Sequence, residues 1–290
     1  MKFLVIGHFC FDVVHTPDGG EQTFPGGVYN TVFALSTLAG PHDTVLPVFS
    51  VHGSDLERVT SMFETLKGVN VEGIFASQRP TNHVHIVPGQ AGSTIQCSPD
   101  IAPPIPFDKL KKFMTADGIV VNMVSGFDIT LETLDEVRMA AREEGSLIHF
   151  DYHNLTQGVN ERHERFRRPV EIWRRWAFMA DSVQLNEQEI LGLTPEGYDE
   201  RHTAGHLLTL GVKTVIVTRG SRGASLYIDP QKHLERVDLP VPEFASGVRS
   251  FGHGDRFGGA YLYHSLSSKQ PAIAARHALD TVTTMAEVAS

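Results

Sequence analysis

An α/β fold, with one mostly parallel sheet covered by helices on both faces, is the class this sequence predicts. Three observations carry it. Apolar runs such as Phe3-Leu4-Val5-Ile6, Ile119-Val120-Val121 and Val215-Ile216-Val217 recur along the chain without polar alternation, which marks strands buried on both sides. Segments of helical period separate them, so strand and helix alternate over most of the length. The composition, 41% hydrophobic and 20% charged over 290 residues, suits one large globular α/β domain.

Taken in order, Phe3 to Ile6 is the first strand, ended by Gly7. Gly7-His8-Phe9-Cys10-Phe11-Asp12 and a polar, glycine-rich stretch to Phe24 follow. Pro25-Gly26-Gly27-Val28-Tyr29-Asn30 then feeds a helix over Thr31 to Leu38. Small residues there leave room for a ligand. Asp12 and Asn30 flank this loop and read either as an Asx-turn and a cap or as groups that hydrogen bond ligand hydroxyls. Val45 to Val51 is the second strand, and Gly53-Ser54-Asp55 starts a helix through Leu66, with Ser54 or Asp55 as its cap.

Thr81 to Gln96 alternates around proline and glycine, which predicts an antiparallel β insertion beside the main sheet. His83 and His85 fall on one face of it. Without a nearby third ligand they read as a solvated strand face rather than a metal site. A short helix over Leu110 to Met114, a strand over Gly118 to Asn122 and an amphipathic helix from Thr130 to Glu144, stopped by Gly145, come next. Ser146 to Phe150 is a strand with Asp151, His153 and Asn154 at its carboxyl end, where ligands of open α/β sheets bind. Asp151 and Asn154 are therefore candidates, with a turn role as the alternative.

Arg162 to Trp176 carries six arginines among aromatic residues, but the net charge of the chain is −9. A solvated helix face is expected there, and a nucleic-acid binder is disfavoured. Asp181 to Glu189 is a strand entering a helix at Asn186. Asn186 and Glu189 share a face of its first turn, or form a capping box. A helix from His202 to Leu210, a strand from Thr214 to Thr218 and a turn through Arg219 to Ala224 into Ser225 to Ile228 follow. The last helices run through Ser265 and over Ala272 to Val288.

Two cysteines, Cys10 and Cys97, are too few for a disulfide framework. The apolar run at the N-terminus is too short for a signal peptide, and none approaches the roughly 20 residues of a membrane helix. A cytoplasmic protein with no membrane partner is expected.

Chemistry enters at Ser250-Phe251-Gly252-His253-Gly254-Asp255-Arg256-Phe257-Gly258. Glycines let backbone N–H groups approach a phosphate, and the start of a helix adds partial positive charge. Asp255 is placed to take a proton from an attacking hydroxyl; the bland alternative is an N-cap aspartate.

With these residues the chain resembles the ribokinase-like (PfkB) family of sugar and nucleoside kinases over almost its whole length. Gly26, Gly27 and Asn30 match the family's Gly-Gly pair and helix-opening Asn. Asp12 matches its hydroxyl-binding aspartate, and Gly53 with Asp55 its G-x-D. Asn186 and Glu189 match N-x-x-E, and Thr218, Gly220 and Gly223 resemble the nucleotide-side T-x-G-x-x-G turn. Gly252, Gly254 and Asp255 match G-A-G-D.

The resemblance implies a three-layer α/β/α ribokinase-like domain spanning 1–290, with a small β lid from segments near 9–25 and 74–98 and pairing of two lids into a homodimer. It implies an ATP- and Mg²⁺-dependent kinase acting on a small sugar, polyol or nucleoside. Asp255 would be its base, with Gly252, His253 and Gly254 around the anion hole. Asp12, Gly26, Gly27 and Asn30 would hold the acceptor, and Asn186, Thr218, Gly220 and Gly223 the nucleotide, with Glu189 at the metal.

Arg249, His253 and Arg256 depart from the family pattern. Arg249 replaces an acidic residue near a monovalent-cation site, and Arg256 faces either phosphate or solvent. They motivate the alternative of a non-catalytic regulator that binds sugar or nucleotide. A dinucleotide oxidoreductase is excluded because too few residues follow Gly258 for the required βαβ unit, and no Walker A loop is present.

Overall fold

A computed structural model describes residues 1–16, 18–89, 94–195, 197–229, 233–241 and 252–288, with side chains through 285. Its main sheet has nine strands. β1 (Lys2–Ile6) lies between β4 (Thr44–His52) and β8 (Gly118–Asn122), and β5 (Ile74–Ser77) flanks β4. Beyond β8 come β9 (Leu147–Asp151), β12 (Ser182–Asn186) and β13 (Thr214–Thr218), all parallel. β14 (Ala224–Ile228) and β15 (Glu235–Leu239) close that edge antiparallel. β15 has no counterpart in the sequence reading because its Glu235-Arg236-Val237-Asp238-Leu239 run offers no apolar stretch.

β9 shows why the sheet is covered on both sides. His149 lies against Tyr261 of α8 (His253–Ser268), while the next residue, Phe150, lies against Trp176 of α5 (Trp173–Phe178). Successive strand residues point to opposite faces. α1 (Val28–Leu38) and α9 (Pro271–Val288) pack with α8. α4 (Leu131–Glu144) and α7 (Glu200–Thr209) pack with α5. Thr130 caps α4, and Gly145 ends it at φ 75°. The start of α2 (Leu56–Glu64) differs from expectation: neither Ser54 nor Asp55 caps it. The Asp55 carboxylate instead accepts from Thr81 Oγ1 at 2.6 Å.

A second sheet has the order β3-β2-β6-β7, from β2 (Phe9–His15), β3 (Glu21–Gly27), β6 (Asn82–Pro88) and β7 (Thr94–Asp100). The polar stretch up to Phe24 is thus largely strand. β6 and β7 pair antiparallel, as expected of the insertion, and β2 joins β6 in parallel. Residues 90–93 lie outside the described residues. Phe9 anchors this sheet, with ring centroids 4.9 Å from Phe11, 5.6 Å from Phe49 and 6.0 Å from Phe63. Truncating such a buried ring to alanine costs roughly 3–5 kcal/mol. The rings of His83 and His85 stand 6.4 Å apart, and His85 hydrogen bonds to His15 at 2.9 Å.

The arginine-rich stretch is not one helix. It forms a hairpin of β10 (Gln157–Val159) and β11 (Arg165–Arg167) before the short α5. Among the described residues, no helix is long and apolar enough to cross a membrane.

Candidate active site

The carboxyl ends of β8, β9 and β12 place Asn122, Asp151 and Gln184 side by side in register. Together they grip the first turn of α8. Asn122 Nδ2 donates to Asp255 Oδ1 at 2.7 Å. Gln184 Nε2 donates to Asp151 Oδ2 at 3.0 Å and to the carbonyl of Gly254 at 2.9 Å. Asp255 is 5% exposed. His153 stands beside it, with Nδ1 3.7 Å from Asp255 Oδ1, and its backbone N–H donates to Asp151 Oδ1 at 3.2 Å. Ligating atoms of Asp151, His153 and Asp255 all lie within 4.8 Å of one another.

Burial pushes the carboxyls of Asp255 and Asp151 above the usual carboxylate range, the latter strongly. Burial alone would lower the imidazole of His153, but the charges of Asp255, Asp151 and Glu189 outweigh it and hold it above its ordinary value. His153 adopts φ 35°, in the left-handed region that non-glycine residues rarely enter. Such strain collects at functional sites.

The first and last glycine motifs meet here. Asp12 sits on β2 opposite Phe24 of β3, and Gly26 lies one inward-facing position further on, opposite Cys10. A Cβ on Gly26 would fall 2.3 Å from Asp12 Oδ2, so only glycine leaves the carboxylate its place. Gly27 precedes α1 at φ 60°, and Asn30 lies buried in the first turn of α1. Gly252 has φ 73° and would drive a Cβ to 2.3 Å from Asn30 Nδ2. Burial raises the Asp12 carboxyl to about 6. Arg256 is half-buried: its Nε donates to Asn30 Oδ1 at 3.2 Å, and its guanidinium lies 5.3 Å from the centre of the Phe33 ring. His253 is half-buried, and burial together with Arg256 lowers its imidazole. Arg249, Ser250 and Phe251 lie outside the described residues.

On the other flank, Asn186 and Thr218 are register partners. Asn186 Oδ1 caps α6 (Glu187–Leu193) by accepting from the N–H groups of Gln188 and Glu189, and Glu189 Oε2 accepts from the N–H of Asn186 at 2.7 Å. The capping box is therefore formed. Burial lifts the Glu189 carboxyl to about 7. Gly220 and Gly223 shape the turn into β14, at φ 56° and 92°. Arg219 there is held by Glu187 and Glu200.

Asn154 is a turn residue, its Nδ2 donating to the carbonyl of Val124 at 2.6 Å. Sequence reasoning passed over Asn122, Gln184 and Arg165. For the first two, the only signal was a polar residue at or near the carboxyl end of an apolar run.

No family model matches the chain. The cytidine kinase of Thermococcus kodakarensis is 22% identical over 271 residues, covering 90% of this chain and 87% of its own. Among solved structures, a pyrophosphate-dependent kinase in the ribokinase family superimposes with a TM-score of 0.80 at 16% identity, covering 99% of this chain and 95% of its own. Arabidopsis thaliana ribokinase complexed with ribose and ATP superimposes at 0.75 with 17% identity, covering 100% of this chain and 93% of its own. From β1 to α9, the chain has the fold of the ribokinase family.

Proposed function

We propose that the protein is a kinase that moves the γ-phosphoryl group of ATP to a hydroxyl of a small sugar, polyol or nucleoside, with Asp255 as catalytic base. The seat of Asp255 carries this reading: a buried carboxylate in the first turn of α8, fixed by Asn122, with Asn30 brought against Gly252 at the same helix start. Raising a carboxyl above its usual range makes it a better proton acceptor, and Asn122 fixes its direction. Gly252 offers α8 no side-chain cap, and the start of a helix favours the negative charge of a transferring phosphoryl group. Asp12, Gly26, Gly27 and Asn30 hold the acceptor. Asn186, Thr218, Gly220 and Gly223 line the nucleotide side.

Glu189 and Asp151 suit Mg²⁺, being buried oxygen donors in a site with an excess of carboxylates. When bound, the ion supplies neutralising charge to the phosphates. The four-stranded sheet acts as the lid of a single kinase domain over 1–290. The exposed Ile95 and the edge strands β3 and β7 favour pairing of two lids, which light scattering tests. A cytoplasmic location fits the expected reduced state of Cys10 and Cys97.

The test is turnover of a panel of sugars, polyols and nucleosides with ATP, and separately with pyrophosphate, by the wild type and Asp255→Asn. A loss of roughly 10²–10⁴-fold in kcat is expected for the variant, with acceptor binding retained in thermal shift. Retention of most of the rate removes Asp255 from the role of base. His253, standing where the family carries a small residue, supports a second reading as a non-catalytic binder; ligand binding by the wild type without turnover of any acceptor would establish it.

A further inference from the structure

Arg165 reaches the cleft from outside every motif that led to the site. It stands on β11, and its guanidinium ties two bodies together. Nε donates to Ser98 Oγ on β7 of the small sheet at 2.8 Å, and Nη1 donates to the carbonyl of Ser125 after β8 at 3.0 Å. Ser125 is itself fixed, with its N–H and hydroxyl donating to the buried Asp128 at 2.9 and 3.0 Å. The backbone follows the same path: the N–H of Ser98 donates to the carbonyl of His163 at 2.7 Å, and Cys97 bridges Glu164. The hairpin thus braces the small sheet against the main one. Two donors of the fork are used in this brace, and Nη2 has no partner among the described residues. Cys97 stands opposite His85 on β6, and Val84 next to it stands opposite Asp12 on β2, so Ser98 holds the guanidinium on the strand next but one to Asp12, and its charge is felt at Asp12 and His153.

A carboxylate only accepts hydrogen bonds and a guanidinium only donates them, whereas a hydroxyl does both. Asp12 and Arg165 therefore complement each other around the hydroxyls of one acceptor. The balance of charge also bears on that acceptor. Five carboxyls, Asp12, Asp128, Asp151, Glu189 and Asp255, gather here, against His153, Arg165 toward Asp12 and Asp128, Arg167 toward Glu189, and Arg256 toward Asp255. An acceptor with its own carboxylate or phosphate would add like charge to a site already rich in carboxylates.

Building on the kinase reading, we propose that Arg165 is an acceptor-recognising residue, donating to a hydroxyl that Asp12 also holds, and that the acceptor is a neutral polyhydroxylated molecule. The same guanidinium holds Ser98, so the residue serves the brace and the acceptor through different donors.

The experiment first compares neutral sugars, polyols and nucleosides with the matching sugar acids and sugar phosphates on the wild type. It then measures KM for the best acceptor, and for ATP, in Arg165→Gln, Arg165→Lys and Ser98→Ala. Arg165→Gln should raise the acceptor KM roughly 10–100-fold, the loss of one hydrogen bond to a charged group, with the ATP KM unchanged and partial rescue by Arg165→Lys. Ser98→Ala keeps the guanidinium and removes a bond of the brace but none to the acceptor, so it should change the acceptor KM by less than about threefold, roughly 0.6 kcal/mol. Acceptor-induced thermal shifts should follow the same order. Equal defects in Ser98→Ala and Arg165→Gln would reduce Arg165 to a brace, and an unchanged acceptor KM in Arg165→Gln would remove it from recognition. Preference for an acidic acceptor overturns the charge argument. A wild type that turns over no acceptor overturns the kinase reading itself, before any variant is compared.

Discussion

Gly252→Ala tests the close packing of the start of α8, proposed to bear the base, against Asn30, proposed to bind the acceptor. Gly252 sits at φ 73° and ψ 3°, a conformation that costs an L side chain roughly 1–2 kcal/mol. Its new Cβ would stand 2.3, 2.4 and 2.6 Å from Nδ2, Cγ and Oδ1 of Asn30, closer than any real contact. Asn30 is buried against α8, so it must move and give up the hydrogen bond from Arg256 Nε at 3.2 Å. Losing a bond to a charged group costs about 1.5–3 kcal/mol. The sum, about 2.5–5 kcal/mol, corresponds to a fall in Tm of roughly 5–20 °C for a chain of this size. Urea unfolding of the wild type, Gly252→Ala, Asn30→Ala and the double variant separates the terms. With Asn30 shortened, only the backbone cost remains, so the cycle should return a coupling of about 1–3 kcal/mol. Stability is the readout, because Asn30→Ala by itself removes a group assigned to the acceptor. If Gly252→Ala costs as much without the Asn30 side chain as with it, the close approach is not the cause and the reasoning fails.

Other outcomes follow from the buried carboxyls. The Glu189 carboxyl is raised from its ordinary 4.5 to about 7. The stability linked to its protonated form is therefore complete below pH 4.5 and is lost as pH rises through 7, at most about 3 kcal/mol. Glu189→Gln, which can still accept from the N–H of Asn186, should gain on the wild type between pH 5 and pH 8 in urea midpoints; a gap that does not change with pH contradicts this. Asp12, raised to about 6, must be ionised to accept two hydroxyls, so kcat/KM for the acceptor should fall as pH drops below 6, and Asp12→Asn should abolish that limb. Mg²⁺ competes with protons for the same carboxylates, so its stabilising shift in Tm, about 2.7 kcal/mol at a hundredfold excess over Kd, should be larger at pH 8 than at pH 5. EDTA should remove the shift together with turnover.

The parallel sheet was legible because β1, β8 and β13 are unbroken apolar runs, and burial on both faces writes that pattern directly into sequence. Gly26, Asn30, Gly252 and Asp255 were legible because each is a residue type forced by a close approach or by the chemistry of a helix start. Asn122 and Gln184 were not. Their roles come from standing in register with Asp151 across three strands that meet only after folding. Arg165 was hidden for the same reason: among neighbouring arginines it alone reaches Ser98, at 67 residues' separation. The parallel pairing of β2 with β6 was not legible, because alternation reports which face a residue occupies and not the direction of its neighbour. Asp55 was misread because a distant hydroxyl, Thr81, outcompeted the local helix for its carboxylate.

Four carboxyls, three of them buried and Asp12 partly so, are gathered in one cleft, and the cations near them, His153, Arg165, Arg167 and Arg256, do not offset the cost of their burial. Asp12, Asp151, Glu189 and Asp255 are each raised by burial, so every one of them binds its proton more tightly than an unfolded chain would. His153 reduces the excess, and it does so from a backbone conformation at φ 35° that itself costs energy. Residues chosen for folding alone would be apolar here, as they are along the rest of β8 and β9. What keeps the arrangement together is the row Asn122, Asp151 and Gln184, which holds α8 by its first turn whether or not the carboxyls are charged. On the kinase reading proposed above, the scaffold carries the strain so that the carboxylates stay in place for a cation and a hydroxyl that an apolar site would reject.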